Sequence, residues 1–455
     1  MFDNLLGQDE VASQLRRDLG AGELPSSLLF AGPPASGKLT TALELARLLS
    51  CQSLGPAAGA WACACPACNR HRILAHSDLL LFGPRTFPEE IPAARSLLER
   101  SPVRASAFFF VRAVRKLQKR FDAALYEGEE SRMAKAAPLV REIEERIDAV
   151  RPELLGPDAA ESKVKEVLDA ARAATDAARR LEALVADTTP VFQVRAAEYW
   201  ARLAPNGRMK TVVIENADRM LDASRNALLK ILEETPASVE FVLLSSRRSA
   251  LLATILSRVR PYVFAARPPE DQADVLERIF KAPPEIVQRA RTEGGDRRRR
   301  ENAIGDFLAS ERPFPPEEAR RLALEFLGAA AARRLPRPGL DPAMAAMPTL
   351  AEDLAYATSP EAAMELGDMA LADLGQATKD FGQKDDAYSS SFLSFLEALS
   401  GLLGDVLRLP GLGPSGLFLV DQWAALIRDA KTQCETLNRS PGLLAESLLY
   451  GMGSP

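Results

Sequence analysis

The run Gly32-Pro33-Pro34-Ala35-Ser36-Gly37-Lys38 has the spacing of a loop that cradles phosphates. Its glycines let backbone N–H groups turn toward an anion, and its lysine adds a point charge for the β- and γ-phosphates. The following residue in such a loop normally carries a hydroxyl that binds Mg²⁺. Here it is Leu39, which has no ligand atom. Thr40 is one step further on, about 100° around a helix, and points elsewhere. The pattern predicts a site in which Gly32, Pro33, Ser36, Gly37 and Lys38 can hold ATP while its Mg²⁺ is held poorly.

The second half of such a site is an apolar strand ending in acids. Val212-Val213-Ile214-Glu215-Asn216-Ala217-Asp218 supplies the strand. Glu215 stands where the Mg²⁺-associated acid belongs, although an acid at a strand end is also at home as a solvated surface group. Asn216 stands where a carboxylate would activate water. An amide takes no proton at neutral pH, so it is no general base. Leu39 and Asn216 independently predict weak or absent hydrolysis.

Four of the five cysteines, Cys51, Cys63, Cys65 and Cys68, follow directly on the phosphate loop and its helix. Their spacing is Cys-x11-Cys-x-Cys-x2-Cys. Four clustered thiolates suit tetrahedral Zn²⁺, and in a chain that reads as cytosolic a structural zinc site is expected over a disulfide framework. His71 and His76 lie close enough in sequence to replace a ligand.

The elements that must position these residues are α/β at first and helical later. Residues 8–20 show helical apolar spacing; Ser27–Phe30, Asp78–Phe82, Thr211–Ile214 and Phe241–Leu244 read as buried strands; residues 222–234 read as a helix. Between them, residues 104–187 step by three and four through Ala107, Phe110, Val114, Leu117 and Phe121, then Ile143 and Ile147, then Leu168, Ala171, Thr175 and Ala178. Pro152, Gly156 and Pro157 interrupt that spacing, and Gly128 marks a second break. An antiparallel helical hairpin with its tip near residues 152–161 is expected, and a 30-residue arm would reach about 45 Å. A compact helical subdomain satisfies the same pattern. Beyond Pro268 only helical patterns occur, including 391–408 and 416–430.

The 455 residues allow two to four domains, and 47% hydrophobic with 26% charged residues is a globular composition. A net charge of −5 gives no whole-protein grip on nucleic acid, so any DNA contact is local or shared with partners. No run of eighteen or more apolar residues is present, so no membrane span is expected. The first ten residues have neither a basic n-region nor an apolar h-region, so no secretory signal is expected either.

These pieces, in this order, resemble the bacterial replicative clamp-loader AAA+ ATPases of DNA polymerase III. The resemblance rests on Phe2-Asp3-Asn4-Leu5-Leu6-Gly7-Gln8, on Leu28 to Pro33, on the cysteine module ending in His76-Ser77-Asp78, and on Val213 to Met220. It rests most on Asn226-Ala227-Leu228-Leu229-Lys230-Ile231-Leu232-Glu233-Glu234 and on Ser257-Arg258. It covers residues 1–83 and about 190–300, and not the helical insertion. The degenerate Leu39 and Asn216, with Leu437-Asn438-Arg439-Ser440-Pro441 near the end, favour the delta-prime branch over gamma/tau.

The resemblance implies an α/β AAA+ domain over 1–265, carrying a zinc module at 51–76 and a helical insertion at about 85–190. A helical lid at 266–312 and a helical collar at 313–455 would follow. It also implies a cytoplasmic hetero-oligomer with gamma/tau and delta subunits, acting on a sliding clamp and primer–template DNA. Arg258 would be an arginine finger on a neighbour's ATP, and Ser245 or Ser246 would sense nucleotide. Arg297 or Arg298 would be the lid sensor. Val259 replaces the cysteine of the family's Ser-Arg-Cys, and Ala62 stands where a cysteine belongs.

Three other readings fit parts of the chain, one of them a purely structural helical scaffold with an inert nucleotide fold. Another is a gamma/tau-like motor that hydrolyses ATP. The third is a chromosome-maintenance ATPase of the SMC type, with a coiled-coil hairpin between its nucleotide motifs, although no Ser-Gly-Gly signature precedes the second strand.

Overall fold

Strand β1, Ser27–Ala31, is buried along its whole length, as a strand with four consecutive apolar residues inside a parallel sheet must be. β2 (Leu79–Phe82), β3 (Lys210–Ile214), β4 (Val239–Ser245) and β5 (Arg260–Val263) join it in the order β2-β3-β4-β1-β5, and every pair is parallel. The sequence pattern locates four of these strands. β5 escaped it because the strand is short and contains Pro261. A proline lacks the ladder N–H and is tolerated here because β5 is an edge. The computed structural model describes residues 2, 5–53, 59–84, 90–156, 159–186, 188–292, 303–311, 316–332, 386–408, 414–437 and 441–453.

Alternation along the strands builds two cores. Leu28, Phe30, Leu79, Leu81, Val213 and Val242 face one layer, helices α1 (Asp9–Ala21) and α2 (Lys38–Leu49). Leu29, Leu80, Phe82, Val212, Ile214 and Phe241 face the other. The helices there are α8 (Val191–Arg202), α9 (Asp222–Glu233) and α10 (Ala253–Leu256). Register aligns the carboxyl ends: Ala31 lies beside Ser245, Ile214 beside Leu243, and Phe82 beside Ile214. Gly32, Gly83, Glu215 and Ser246 therefore leave the sheet at one edge, where open α/β sheets bind ligands.

The insertion is a compact helical subdomain rather than a projecting arm. α4 (Glu90–Arg100), α5 (Arg104–Gln118), α6 (Glu130–Ala149) and α7 (Glu161–Glu182) share one core through Leu98, Phe110, Val114, Ile143, Ala171 and Leu181. α6 and α7 form the expected hairpin, and its connection at Pro152–Leu154 packs on α5. Gly128 falls before α6 with φ at +79°. Helix α3 (Pro66–Arg72) belongs to the cysteine module. Helices α11 (Pro269–Arg278), α12 (Pro284–Thr292) and α13 (Ala303–Ser310) contribute Ala273, Leu276, Val287 and Phe307, and the α11–α12 connection contributes Phe280, to a core shared with Ala93.

The chain divides into two compact units, Met1–Leu308 and Ala309–Pro455. The described helices of the second are α14 (Pro316–Ala332), α15 (Asp386–Val406), α16 (Pro414–Leu437) and α17 (Pro441–Gly453). Phe326, Phe392, Phe395, Trp423 and Met452 lie in its core, and Trp423 Nε1 donates to the Met452 carbonyl at 3.0 Å. Among the described residues, no helix is long and apolar enough to cross a membrane. Arg297 and Arg298 lie outside the described residues.

Candidate functional site

The phosphate loop runs from the end of β1 to the start of α2, with Gly37 at φ +95° as the residue before the helix. Gly32 is required by contact: a Cβ there would lie 2.4 Å from the Phe264 carbonyl oxygen. Ser36 Oγ donates to the Pro33 carbonyl at 2.8 Å. Lys38 Nζ is folded back on the loop, donating to Gly32 O at 2.7 Å, to Pro33 O, and to Ser36 Oγ at 3.3 Å. Burial pushes its ammonium down to about 8, against the opposing pull of Asp218 and Glu215; nearby Arg267 acts with burial. The loop lysine and the acids after β3 thus share one electrostatic neighbourhood.

The metal-binding positions are spent. Leu39 packs against the apolar layer that contains Phe30 and Leu43. Thr40 is exposed, and the Thr41 hydroxyl donates to Gly37 O at 2.9 Å. Glu215 Oε2 accepts from Nη2 of Arg120, which sits in the short 3₁₀ turn after α5, and Arg120 Nη1 donates to Lys116 O at 2.6 Å. The side chains of this pair are 2% and 14% exposed. Removing one partner of a pair so buried costs about 3–5 kcal/mol. Asn216 holds a left-handed conformation, φ +48°, which asparagine tolerates better than most residues. These residues do not fit a bound Mg²⁺.

Ser245 is buried and turned toward Asp218, donating to Oδ1 at 2.8 Å; Ser246 is exposed, with its N–H 3.3 Å from the same oxygen. Arg267 Nε donates to Leu6 O at 3.0 Å and its Nη1 to Ala35 O, so a second cation lies against the loop. Burial lowers the pKa of Arg267, and Asp271 opposes that. Neither Arg120 nor Arg267 has a sequence signal of its own. Arg120 lies in a heptad-like stretch and Arg267 precedes Pro268-Pro269.

Arg258 lies between α10 and β5, apart from these groups in the chain. It is exposed. Its Nη1 donates to Thr254 O at 2.8 Å and its Nη2 to Glu233 Oε1 at 2.6 Å.

The four cysteines converge. The sulfurs of Cys51, Cys63, Cys65 and Cys68 all lie within 4.8 Å of one another, and Cys51 and Cys63 are 3.8 Å apart. Zinc with bonds of about 2.3 Å sets tetrahedral sulfurs about 3.8 Å apart, so the set fits zinc. Cys65 caps α3, its sulfur accepting from Cys68 N at 3.4 Å. Ser53 and the Cys65 N–H lower the Cys63 thiol; burial raises the Cys68 thiol. His71 and His76 are not in the group. Their rings stack on each other at 4.2 Å.

One face of α5 and the turn after it clamp the end of this module and the start of β2. Arg112 Nη1 donates to Arg72 O at 2.6 Å, Arg115 Nη1 to Ile73 O at 2.9 Å, and Lys119 Nζ to Leu79 O at 3.0 Å.

The family described as DNA polymerase III, delta subunit, matches residues 7–134 and 189–268. Subunit delta' of DNA polymerase III from Escherichia coli K12 is 45% identical over 67 residues, 15% of this chain and 20% of that one. The chain is a relative of the DNA polymerase III clamp-loader family. Subunit gamma/tau of Mycobacterium tuberculosis is 31% identical over 108 residues, 22% of this chain and 19% of that one. These matches span about a fifth of the length of the curated relatives. A solved gamma subunit-related protein from Thermotoga maritima covers 58% of this chain and 78% of its own, at 16% identity and a TM-score of 0.24. The family match stops at Met133-Ala134 and resumes at Thr189, so most of α6 and all of α7 lie outside it.

Proposed function

We propose that this clamp-loader relative is a non-motor subunit of the delta-prime kind. It supports ATP-dependent loading of a sliding clamp on primed DNA and presents Arg258 to the ATP of a neighbouring subunit. Leu39 carries the reading. An apolar residue, partly buried against the core where a hydroxyl must face the metal, leaves the chain's own nucleotide site without that Mg²⁺ ligand. Asn216 supports it, because its amide is no general base. Arg258 supports the partner role, since it is exposed and donates to Glu233, itself an exposed side chain.

In this reading the partners are gamma/tau and delta subunits in a cytoplasmic complex. Residues 266–312 act as a lid and 313–455 as an oligomerising collar. Zinc on Cys51, Cys63, Cys65 and Cys68 is structural, because four thiolates close the coordination shell and leave no open position for substrate. Ser245 and Ser246 form the nucleotide-sensing end of β4.

The test is steady-state ATPase of the purified chain, alone and then with the other subunits, clamp and primed DNA. The expected result is no turnover alone and turnover in the mixture that Arg258→Ala reduces while assembly persists. Robust turnover by the isolated chain would favour a gamma/tau-like motor, the reading to which the 31% identity with gamma/tau lends some support. The packed insertion gives the SMC-type reading no projecting coiled coil to rest on.

A further inference from the structure

The nucleotide site carries fixed cations where a metal-dependent site carries free ligands. Arg120 reaches it from the helical insertion, 95 residues before the acid it engages. Its guanidinium is almost wholly buried and holds one oxygen of Glu215. Arginine stays charged under any ordinary condition. Burial lowers the pKa of Arg120, and Glu215 opposes that. The backbone fixes the acid as well: Glu215 N donates to Phe82 O at 2.9 Å.

The rest of the site is arranged to the same effect. Lys38 donates to carbonyls of the loop itself, contacts that an arriving phosphate would replace. Arg267 lies over the loop: a Cβ on Gly37 would be 2.9 Å from its Nη2. Leu39 is partly buried against the apolar layer, and the hydroxyl of Thr41 is used by the helix. Two of the chain's cations serve the loop and a third neutralises the acid.

We propose that Arg120 stands in for the divalent cation beside Glu215, so that this site takes a nucleoside diphosphate or triphosphate as a metal-free anion. The inference deepens the non-motor reading above and rests on it. A nucleotide stripped of Mg²⁺ is more negative than its complex, and fixed cations suit that form. With one oxygen of Glu215 paired to arginine and Leu39 at the hydroxyl position, Mg²⁺ entering with the nucleotide meets a carboxylate already neutralised and no hydroxyl at the expected place. The helical insertion gains a role at this site: through Arg120 it sets which form of nucleotide the site accepts.

The test is equilibrium binding of a fluorescent ADP to the full chain, with Mg²⁺ present or simply omitted. Chelators are avoided because they would strip the cysteine centre. Wild-type affinity is expected to stay within about twofold between the two buffers. Arg120→Gln is expected to bind about tenfold more weakly without Mg²⁺ and to recover when Mg²⁺ is added. Circular dichroism checks that the variant is folded. Should it not fold, the wild-type comparison carries the test, because binding strengthened by Mg²⁺ overturns the inference by itself.

Three results would overturn the inference: wild-type binding strengthened by Mg²⁺, a folded Arg120→Gln indistinguishable from wild type, or no ADP bound by wild type. An inert chain whose binding depends on Mg²⁺ sinks this inference alone. A chain that hydrolyses ATP by itself sinks the non-motor reading.

Discussion

Arg47 Nη1 lies 3.1 Å from the sulfur of Cys68, joining the helix that follows the phosphate loop to the cysteine centre. The same guanidinium donates to Glu44 Oε1 at 2.6 Å and to Gly59 O at 2.9 Å, and it lies over the Trp61 ring. Its side chain is 1% exposed. Burial alone would lower its pKa; Glu44 and then Cys68 outweigh that and raise it.

A buried cation beside a thiolate stabilises the charged ligand, so the centre should depend on Arg47. Arg47→Ala is expected to weaken zinc affinity about 10–100-fold, the usual cost of losing an outer-shell partner. It should also destabilise the domain by about 3–5 kcal/mol, because Glu44 stays behind, mostly buried and unpaired. Arg47→Lys should recover only part of this, since an ammonium cannot match a planar fork. Zinc competition with a chromogenic chelator and urea unfolding check both. Zinc affinity equal to wild type in Arg47→Ala would show that the four sulfurs suffice.

Lys38 should give the proposed nucleotide site a pH dependence. Burial holds its ammonium down at about 8, so it is largely charged at pH 7 and loses charge above 8. Nucleotide affinity should fall by up to about tenfold per pH unit above 8, and Lys38→Met should flatten the profile. Stability should move the other way. Between about 8 and the unfolded value of 10.5 the native state binds fewer protons than the unfolded chain, so stability rises with pH across that window. Fluorescent nucleotide titrations and unfolding curves from pH 7 to 10 check both signs.

Gly83 tests the junction beneath the acid. It sits at φ +152°, and a Cβ there would lie 2.6 Å from Glu215 O and 3.0 Å from Glu215 Cβ. Both partners are held by the β2–β3 ladder and cannot retreat cheaply. Gly83→Ala is expected to destabilise by about 1–3 kcal/mol, from the strained backbone and the clash together. Thermal unfolding should show a fall of about 2–4 °C per kcal/mol. An unchanged midpoint would mean that the two strand ends can part freely.

The local parts of this site were legible in the sequence because their signals are short-range. Gly32 to Lys38 announces its loop by spacing, and Leu39 announces its defect by chemistry. The cysteines are close enough in the chain that their convergence needs no distant element. Arg120, Arg47 and Arg267 were not legible, for a shared physical reason. Each is an arginine in or beside a helix, where a solvated position is the default. Arg120 meets Glu215 across 95 residues, so only the tertiary fold reveals the pairing. The insertion was ambiguous because heptad spacing describes a face to be buried and not what buries it. Residues on α4 and α5 supply the partner surface, which turns a possible arm into a packed subdomain.

Glu240 offers a test of the sheet itself. It lies in β4, opposite Thr211 of β3, is 1% exposed, and its Oε1 has no hydrogen-bond partner among the described residues. Burial pushes its carboxyl up to about 9, so it is protonated at neutral pH. Between the unfolded value of 4.5 and about 9 the native state binds the extra proton. Stability from this group is therefore greatest at low pH and declines as pH rises through that window. Glu240→Gln replaces the neutral acid with a neutral amide of the same shape and removes the decline. The variant should be close to wild type at pH 5 and more stable at pH 8. The gap should grow by at most about 1.4 kcal/mol per pH unit, since one proton is involved. Unfolding midpoints at the two pH values decide it: an equal effect at both would mean that Glu240 is ionised in the folded chain and has a compensating charge beside it.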